Sequence, residues 1–543
     1  MNMKRLFVLL LLLPTLLSAQ SKRPKAVIGI VVDQMRQEYL YRFAPKFSEG
    51  GFKRMIDHGY MLRNAHYNYV PTFTGPGHAS IYTGATPSVH GVIGNDWYDR
   101  TEKKMVNCVE DKRQTPVGSP TGKGAISPQR MLSTTVTDEL KLATQGRAKV
   151  IGMAIKDRGA VLPAGHLPDG AFWYDGTSGN FISSTYYKPG LPVWVEQFNA
   201  KKLPDQYLSK PWNTLLPIAS YTESNPDDMV FETRFKGKDK PTFPYNLPEL
   251  RKQNGELDLL SVVPFGDDFL TEFAKAAIDG ESIGMDEVTD FLAISYSTPD
   301  LVGHSFGPNS IELEDTYIRL DRNIQDLLTT LDKKLGIGNY VVFLSSDHGV
   351  GDIPQEMMAK NIPAGYFSAI DLETGLKEHL KKYYPTQQLI ENMSNNQVFL
   401  DPAAFSEDPK EAGLQYMVVT EIIAQYLRKT DGIAEVFTRD NLLDSGTGGS
   451  AHPVTMGFHS RRSGDLTYTL APGWSWKEGP RANHGTGYTY DTNVPIVFFG
   501  KGIKHGSSYS YHRITDIAAT LSAMLEIKYP NGCTGLPVEE VFH

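Results

Sequence analysis

The sequence predicts an α/β fold with a largely parallel central sheet flanked by helices, a loop-rich cap and a small α+β insertion. Three observations carry that expectation. Short apolar runs recur along the 543 residues, amphipathic helical patterns separate them, and two stretches break the alternation. A chain of this length exceeds one small core. Its composition, 40% hydrophobic and 21% charged, is that of an ordinary globular protein and excludes a disordered tract, a solenoid or a multi-span membrane protein.

The first element is not part of the fold. "MNMKRLFVLLLLLPTLLSAQ" places Lys4-Arg5 before an apolar run and ends in small residues, the pattern of a secretory signal peptide over 1–19. The run is short for a membrane span, so export to the periplasm or medium is expected, with no membrane anchor after cleavage. Removing the leader makes the formal charge of −8 two units more negative, and an acidic exported chain lacks the basic field that nucleic-acid binding needs. Only two cysteines, Cys108 and Cys533, are present; they exclude a thiolate metal centre and leave a single bridge open.

Five apolar runs then read as buried strands. "AVIGIVVD" ends in Asp33, "AKVIGMAIKDR" in Lys156 and Arg158, "DFLAISYSTPD" in Asp300 and "YVVFLSSDHG" in Asp347-His348, while "VPIVFFGKG" comes late. "SIELEDTYIRLDRNIQDLLTTLDKKLG" and "RITDIAATLSAMLEI" carry helical spacing. From about 160 to 256 the chain is rich in Trp, Tyr, Pro, Asn and Gly with little periodicity, and is expected to form the cap. Residues 369–476 mix strand and helix signals and are expected to be the insertion, leaving 20–368 and 477–543 as the main α/β domain. Ligands of open α/β sheets bind beyond the carboxyl ends of the strands, which is where these carboxylates and imidazoles fall.

Each candidate has a bland reading. Thr74 in "VPTFTGPGHASIYTG" sits where a short helix starts, so its hydroxyl is either an ordinary cap or a nucleophile at the positive end of a helix. Asp300 and His304 stand four apart and can share a helix face, a spacing that also occurs by chance. Asp33 can cap "QMRQEYL", His484 in "RANHGTGY" can be a plain loop residue, and "KDR" can be a solvated charge cluster. Taken together, three Asp and three His gathered at one sheet edge make a fitting ligand set for two divalent metals. Two such ions against three carboxylates leave one net positive charge, which attracts an oxyanion.

The series Asp33, "TFTGPGHASIYTG", Asn95 in "GVIGNDWY", "STPDLVGH", "SSDHG" and "NHGTG" resembles the alkaline phosphatase superfamily, in particular its threonine-nucleophile, phosphate-irrepressible alkaline phosphatases of flavobacterial type. The resemblance spans nearly the whole mature chain. It implies an alkaline-phosphatase-like fold, a phosphothreonine formed on Thr74, and two Zn²⁺ ions. It assigns Asp300, His304 and His484 to one zinc, and Asp33, Asp347, His348 and the Thr74 oxygen to the other. It further implies that Asn95, Lys156 and Arg158 contact the phosphoryl group of small phosphate monoesters, in a protein expected to be a monomer. A sulfatase would need a modified Cys or Ser in a C/S-x-P-x-R context, which neither cysteine has. A nucleotide phosphodiesterase or pyrophosphatase of the same superfamily is the main rival, and a noncatalytic periplasmic metal- or phosphate-binding protein the other.

Overall fold

In the computed structural model, residues 23–122, 124–444, 451–476 and 481–542 are described, so the leader lies outside them. Ten strands form the main sheet: β1 (Ala26–Val32), β2 (Tyr60–His66), β3 (Pro116–Val117), β4 (Val150–Ala154), β5 (Gly170–Asp175), β6 (Asn180–Ser184), β7 (Asp290–Tyr296), β8 (Tyr340–Ser345), β9 (Ile496–Gly500) and β10 (Gly506–Arg513). Their order across the sheet is β10-β2-β9-β8-β1-β7-β4-β5-β6-β3.

The centre is parallel: β1 pairs with β8 and β7, and β4 with β7 and β5. These strands are buried along their whole length, as expected when helices cover both faces. Alternation on β1 shows the two layers. Val27 and Val31 enter one core, with Ile81 and Ile517; Ile28, Ile30 and Val32 enter the other, with Phe269 and Leu327. The helix Ile311–Leu335 opens on a Ser310 cap and stops at Gly336, whose φ of 87° is left-handed.

The sheet is more mixed than the expectation of a largely parallel one. β9 runs antiparallel to both β8 and β2. His484 lies at the carboxyl edge of the sheet, so the chain enters β9 from that edge and must run back. The region expected as a loop-rich cap also supplies β5 and β6 to the sheet before turning into short helices. β5, "GAFWYD", is buried on both faces and therefore shows no alternation to read.

Within residues 369–476 a second, antiparallel sheet of four strands is ordered Ile390–Ser394, Gln397–Leu400, Leu466–Leu470, Ile433–Thr438. The helices Ala369–Lys381 and Pro409–Arg428 cover it, with Leu376, Val398, Ile423 and Leu466 in a separate apolar core. This unit is braced to the loop that carries Asn95. Arg100 pairs with Asp465 at 2.8 Å, Tyr98 meets Phe399 edge-on, and the Asn395 amide donates to the Asp96 carbonyl. Cys108 and Cys533 are both free thiols.

Candidate active site

The parallel strands deliver their following residues to one edge. Asp33 follows β1, Lys156 and Arg158 follow β4, Asp300 follows β7, and Asp347-His348 follow β8. Asp300 and His304 lie one turn apart on the helix Thr298–Phe306, with His304 Nε2 3.1 Å from Asp300 Oδ1. His484 Nε2 stands 3.7 Å from the same oxygen. Asp300, His304 and His484 form one group able to hold a metal ion, and Asp33, Asp300 and His348 a second, with Asp300 shared between them. Asp347 joins the second group through Oδ2, 3.4 Å from His348 Nε2.

The three imidazoles are oriented alike. His304 Nδ1–H donates to the Ala482 carbonyl at 2.7 Å, His484 Nδ1–H to Thr72 at 2.8 Å and His348 Nδ1–H to Gly349 at 2.9 Å. Each tether leaves Nε2 facing the cluster, the arrangement in which a histidine ligates a metal. Burial pushes His348 down to about 3, and burial followed by the neighbouring His348 and His304 charges pushes His484 well below its usual value, so both keep a free lone pair. Burial opposes protonation of His304, but the Asp300 carboxylate overrides it and holds this imidazole above its ordinary value.

The carboxylates are equally informative. Burial, then the Asp33 charge beside it, pushes Asp347 well above the carboxylate range. Asp33 Oδ1 and Asp347 Oδ2 are buried without a hydrogen-bond partner among the described residues. Crowded carboxylates, two of their oxygens unpartnered among the described residues, beside three imidazoles tethered with Nε2 inward fit divalent cations of the zinc type.

Thr74 is the first residue of the helix Thr74–Thr83. The cap position belongs to Phe73, and no side chain caps this helix, so the hydroxyl is not spent on capping. Its Oγ1 lies 3.4 Å from His348 Nε2. Asn95 Oδ1 accepts from the Gly75 N–H at 2.7 Å, which fixes the amide and leaves its NH₂ to point elsewhere. Lys156 spans the two groups, with Nζ 2.6 Å from Asp33 Oδ2 and 2.5 Å from Asp300 Oδ2. Burial disfavours its charge, yet the Asp300 and Asp33 carboxylates outweigh that and keep it protonated. Arg158 Nη1 lies 3.8 Å from Asp157, while its Nε is buried without a partner among the described residues. The cluster opens on a cavity of about 510 Å³ whose wall includes Asn95, His304 and His484.

A family model described as type I phosphodiesterase / nucleotide pyrophosphatase matches residues 27–492. The chain belongs to that family, within the alkaline phosphatase superfamily. It is 44% identical to "Alkaline phosphatase PafA" of Elizabethkingia meningoseptica over 96% of this chain and 94% of that protein. The crystal structure of PafA superposes with a TM-score of 0.91, covering 96% of this chain and 99% of PafA at 43% identity. "Alkaline phosphatase PhoV" of Synechococcus elongatus is 42% identical over 97% of this chain and 94% of its own length. A protein of Myroides odoratus named "Calcium-transporting ATPase" is 41% identical over 97% of this chain and 96% of its length.

Two residues of this family member's site escaped the sequence reading. Gln34 donates its backbone N–H to Asp347 Oδ1 at 3.1 Å and its side-chain Nε2 to Asp300 Oδ1 at 2.7 Å, tying together carboxylates from two strand ends. It adopts φ 67°, a strained value for a residue with a side chain, directly after Asp33. His78 places Nδ1 2.9 Å from the Thr74 carbonyl and 3.5 Å from Asp347 Oδ2, and Nε2 against Ser295 Oγ at 2.8 Å. Both stand next to candidates already singled out. Neither spacing signals a second role, because hydrogen bonds between distant strand ends leave no local pattern.

Proposed function

We propose that the chain is an exported, metal-dependent alkaline phosphatase, a phosphoric monoester hydrolase working through a phosphothreonine on Thr74. The carrying observation is the uncommitted Thr74 hydroxyl at a helix start, 3.4 Å from His348 Nε2 and beside the six Asp and His ligand candidates. The names of the PafA and PhoV relatives support the substrate class. A crystallised PafA variant is substituted at a threonine, an asparagine, a lysine and an arginine, the residue types that stand here at Thr74, Asn95, Lys156 and Arg158. In this reading export follows from the leader pattern, and the described residues contain no helix long and apolar enough to cross a membrane.

Asp300, His304 and His484 would hold one Zn²⁺, and Asp33, Asp347, His348 and the Thr74 oxygen the other. Bound there, the ions would supply Lewis acidity to phosphoryl oxygens and make a coordinated hydroxyl more acidic. Thr74 Oγ1 attacks phosphorus in line, forming the Thr74 O–P bond as the bond to the leaving oxygen breaks; that oxygen departs as an alkoxide and takes up a proton. Water then attacks the same phosphorus, the Thr74 O–P bond breaks, the water's proton returns to Thr74 and inorganic phosphate leaves. The Asn95 NH₂, Lys156 and Arg158 bind nonbridging oxygens, and the helix N-terminus behind Thr74 favours the transferred charge.

The family description names diesters, so the discriminating experiment compares the two substrate classes. A monoester carries a third charged nonbridging oxygen for Lys156 and Arg158; a diester replaces it with an ester oxygen. Charge-assisted bonds contribute roughly 1.5–3 kcal/mol each, and about 1.4 kcal/mol is tenfold in rate. The double variant Lys156→Ala/Arg158→Ala should lose roughly two to four orders of magnitude in monoester kcat/KM and far less with a diester. Equal losses would assign Lys156 to holding Asp33 and Asp300, and Arg158 to general electrostatics. A wild type that prefers diesters would replace the monoesterase reading with the phosphodiesterase one.

A further inference from the structure

The cavity beside the catalytic cluster is much larger than a phosphoryl group, and its size falls in the range of about 300–1,000 Å³ typical of organic-ligand pockets. Its far wall is supplied by the 369–476 unit and its flanks. Phe367, Tyr468 and Trp476 are clustered aromatics, with the Trp476 ring edge-on to Phe367 at 5.1 Å and Phe367 6.2 Å from Tyr468. Phe73, immediately before Thr74, faces them from the catalytic side and packs edge-on against His484 at 5.7 Å. Between the two walls lies the tip of the hairpin formed by Ile390–Ser394 and Gln397–Leu400, where Asn395 and Asn396 both take left-handed φ values, 50° and 59°. Asn396 Oδ1 is buried there without a hydrogen-bond partner among the described residues. A slot with aromatic faces suits a flat ring.

The position of this slot matters as much as its composition. The same cavity touches Asn95, His304 and His484, so a group lodged in it is contiguous with a phosphoryl group at the cluster. The hairpin tip is fixed to the Asn95 loop through the Asn395 amide and the Asp96 carbonyl, which holds slot and phosphoryl contacts in one register. We propose that this cavity is a leaving-group subsite that selects aromatic or heteroaromatic alcohols, with Trp476 and Phe73 as its ring contacts. The proposal rests on the phosphomonoesterase reading above and extends it to the substrate's organic half.

The test uses two monoesters whose alcohols ionise similarly, ethyl phosphate and phenylethyl phosphate, so that chemistry is matched and only the ring differs. With the full chain, kcat/KM for phenylethyl phosphate should exceed that for ethyl phosphate by about tenfold or more, given what stacking on a protein aromatic is worth. Trp476→Ala should bring the ratio to within about twofold of one, and Trp476→Phe should restore most of it. A wild-type ratio near one overturns the subsite, as does a Trp476→Ala variant that loses both substrates equally. Absence of turnover of both monoesters in the wild type is a different result: it overturns the phosphatase reading itself.

Discussion

Gln34 links Asp300 to Asp347, and its φ of 67° holds it there at some cost in backbone strain. Groups that orient ligating residues typically change metal affinity by about 10–100-fold when removed. Gln34→Ala should therefore release bound metal at lower chelator concentration than the wild type by a factor in that range, measured by elemental analysis after equilibration with graded chelator. Identical retention would make the Gln34 bonds incidental to the cluster. Asp33, Asp300, His304, Asp347, His348 and His484 were legible because each follows an apolar run or sits in a short glycine-rich turn. The group of Asp300, His304 and His484 forms as expected, whereas the make-up of the second group was not legible. Asp300 stands in both groups of the structure, and Lys156, expected against the phosphoryl group alone, also pairs with Asp33 and Asp300. Such sharing depends on the stagger of adjacent strand ends, which one-dimensional spacing does not encode.

The helix Thr74–Thr83 is buried at every residue and so carries no amphipathic stripe for a sequence reader to find. What marks it is "TGPGH", and the structure gives the second glycine a steric reason. A Cβ on Gly77 would stand 2.2 Å from the Asp347 carbonyl oxygen and 2.8 Å from the Asp347 Cβ. Backbone cannot yield there without moving either the proposed nucleophile or a proposed ligand. Gly77→Ala should lower stability by roughly 1–3 kcal/mol, the usual cost of overpacking. It should also lower monoester kcat/KM by a larger factor than the residual folded fraction explains. Thermal unfolding and kinetics on the same preparation measure both, and wild-type kinetics in a folded variant would show that the close contact is dispensable. Elsewhere, helices with clear stripes, such as Ile311–Leu335, were legible, whereas β5 and β6 were hidden because an aromatic-rich, doubly buried strand resembles an irregular loop in composition.

At the scale of the whole molecule, the sheet centre was legible from four apolar runs each ending in polar chemistry, while the reversed direction of β9 was not, since strand polarity is set by where the chain re-enters the sheet. Buried carboxyls also set how the fold responds to pH. Glu232 is pushed up to about 9, by burial and then by the Glu312 charge, and burial pushes Glu312 up to about 8 although Tyr245 donates to it at 2.5 Å. Both folded values lie above the ordinary glutamate value of about 4.3, so the folded state binds the extra protons. Their stabilisation is complete below about pH 4 and is lost as pH rises through 8 to 9. Melting temperature should accordingly fall from about pH 5 to pH 9, and Glu232→Gln should flatten that fall while matching the wild type only near pH 4. An equal slope in the variant would remove Glu232 from the account. The central claim, turnover through a covalent intermediate on Thr74, is tested most directly by acid-quenching the zinc-loaded enzyme during steady-state hydrolysis of a phosphate monoester and mapping phosphate by peptide mass spectrometry. The account predicts phosphate on the peptide containing Thr74, absent in Thr74→Ala and present on the serine hydroxyl in Thr74→Ser; full turnover by a folded Thr74→Ala variant with no phosphopeptide would contradict it.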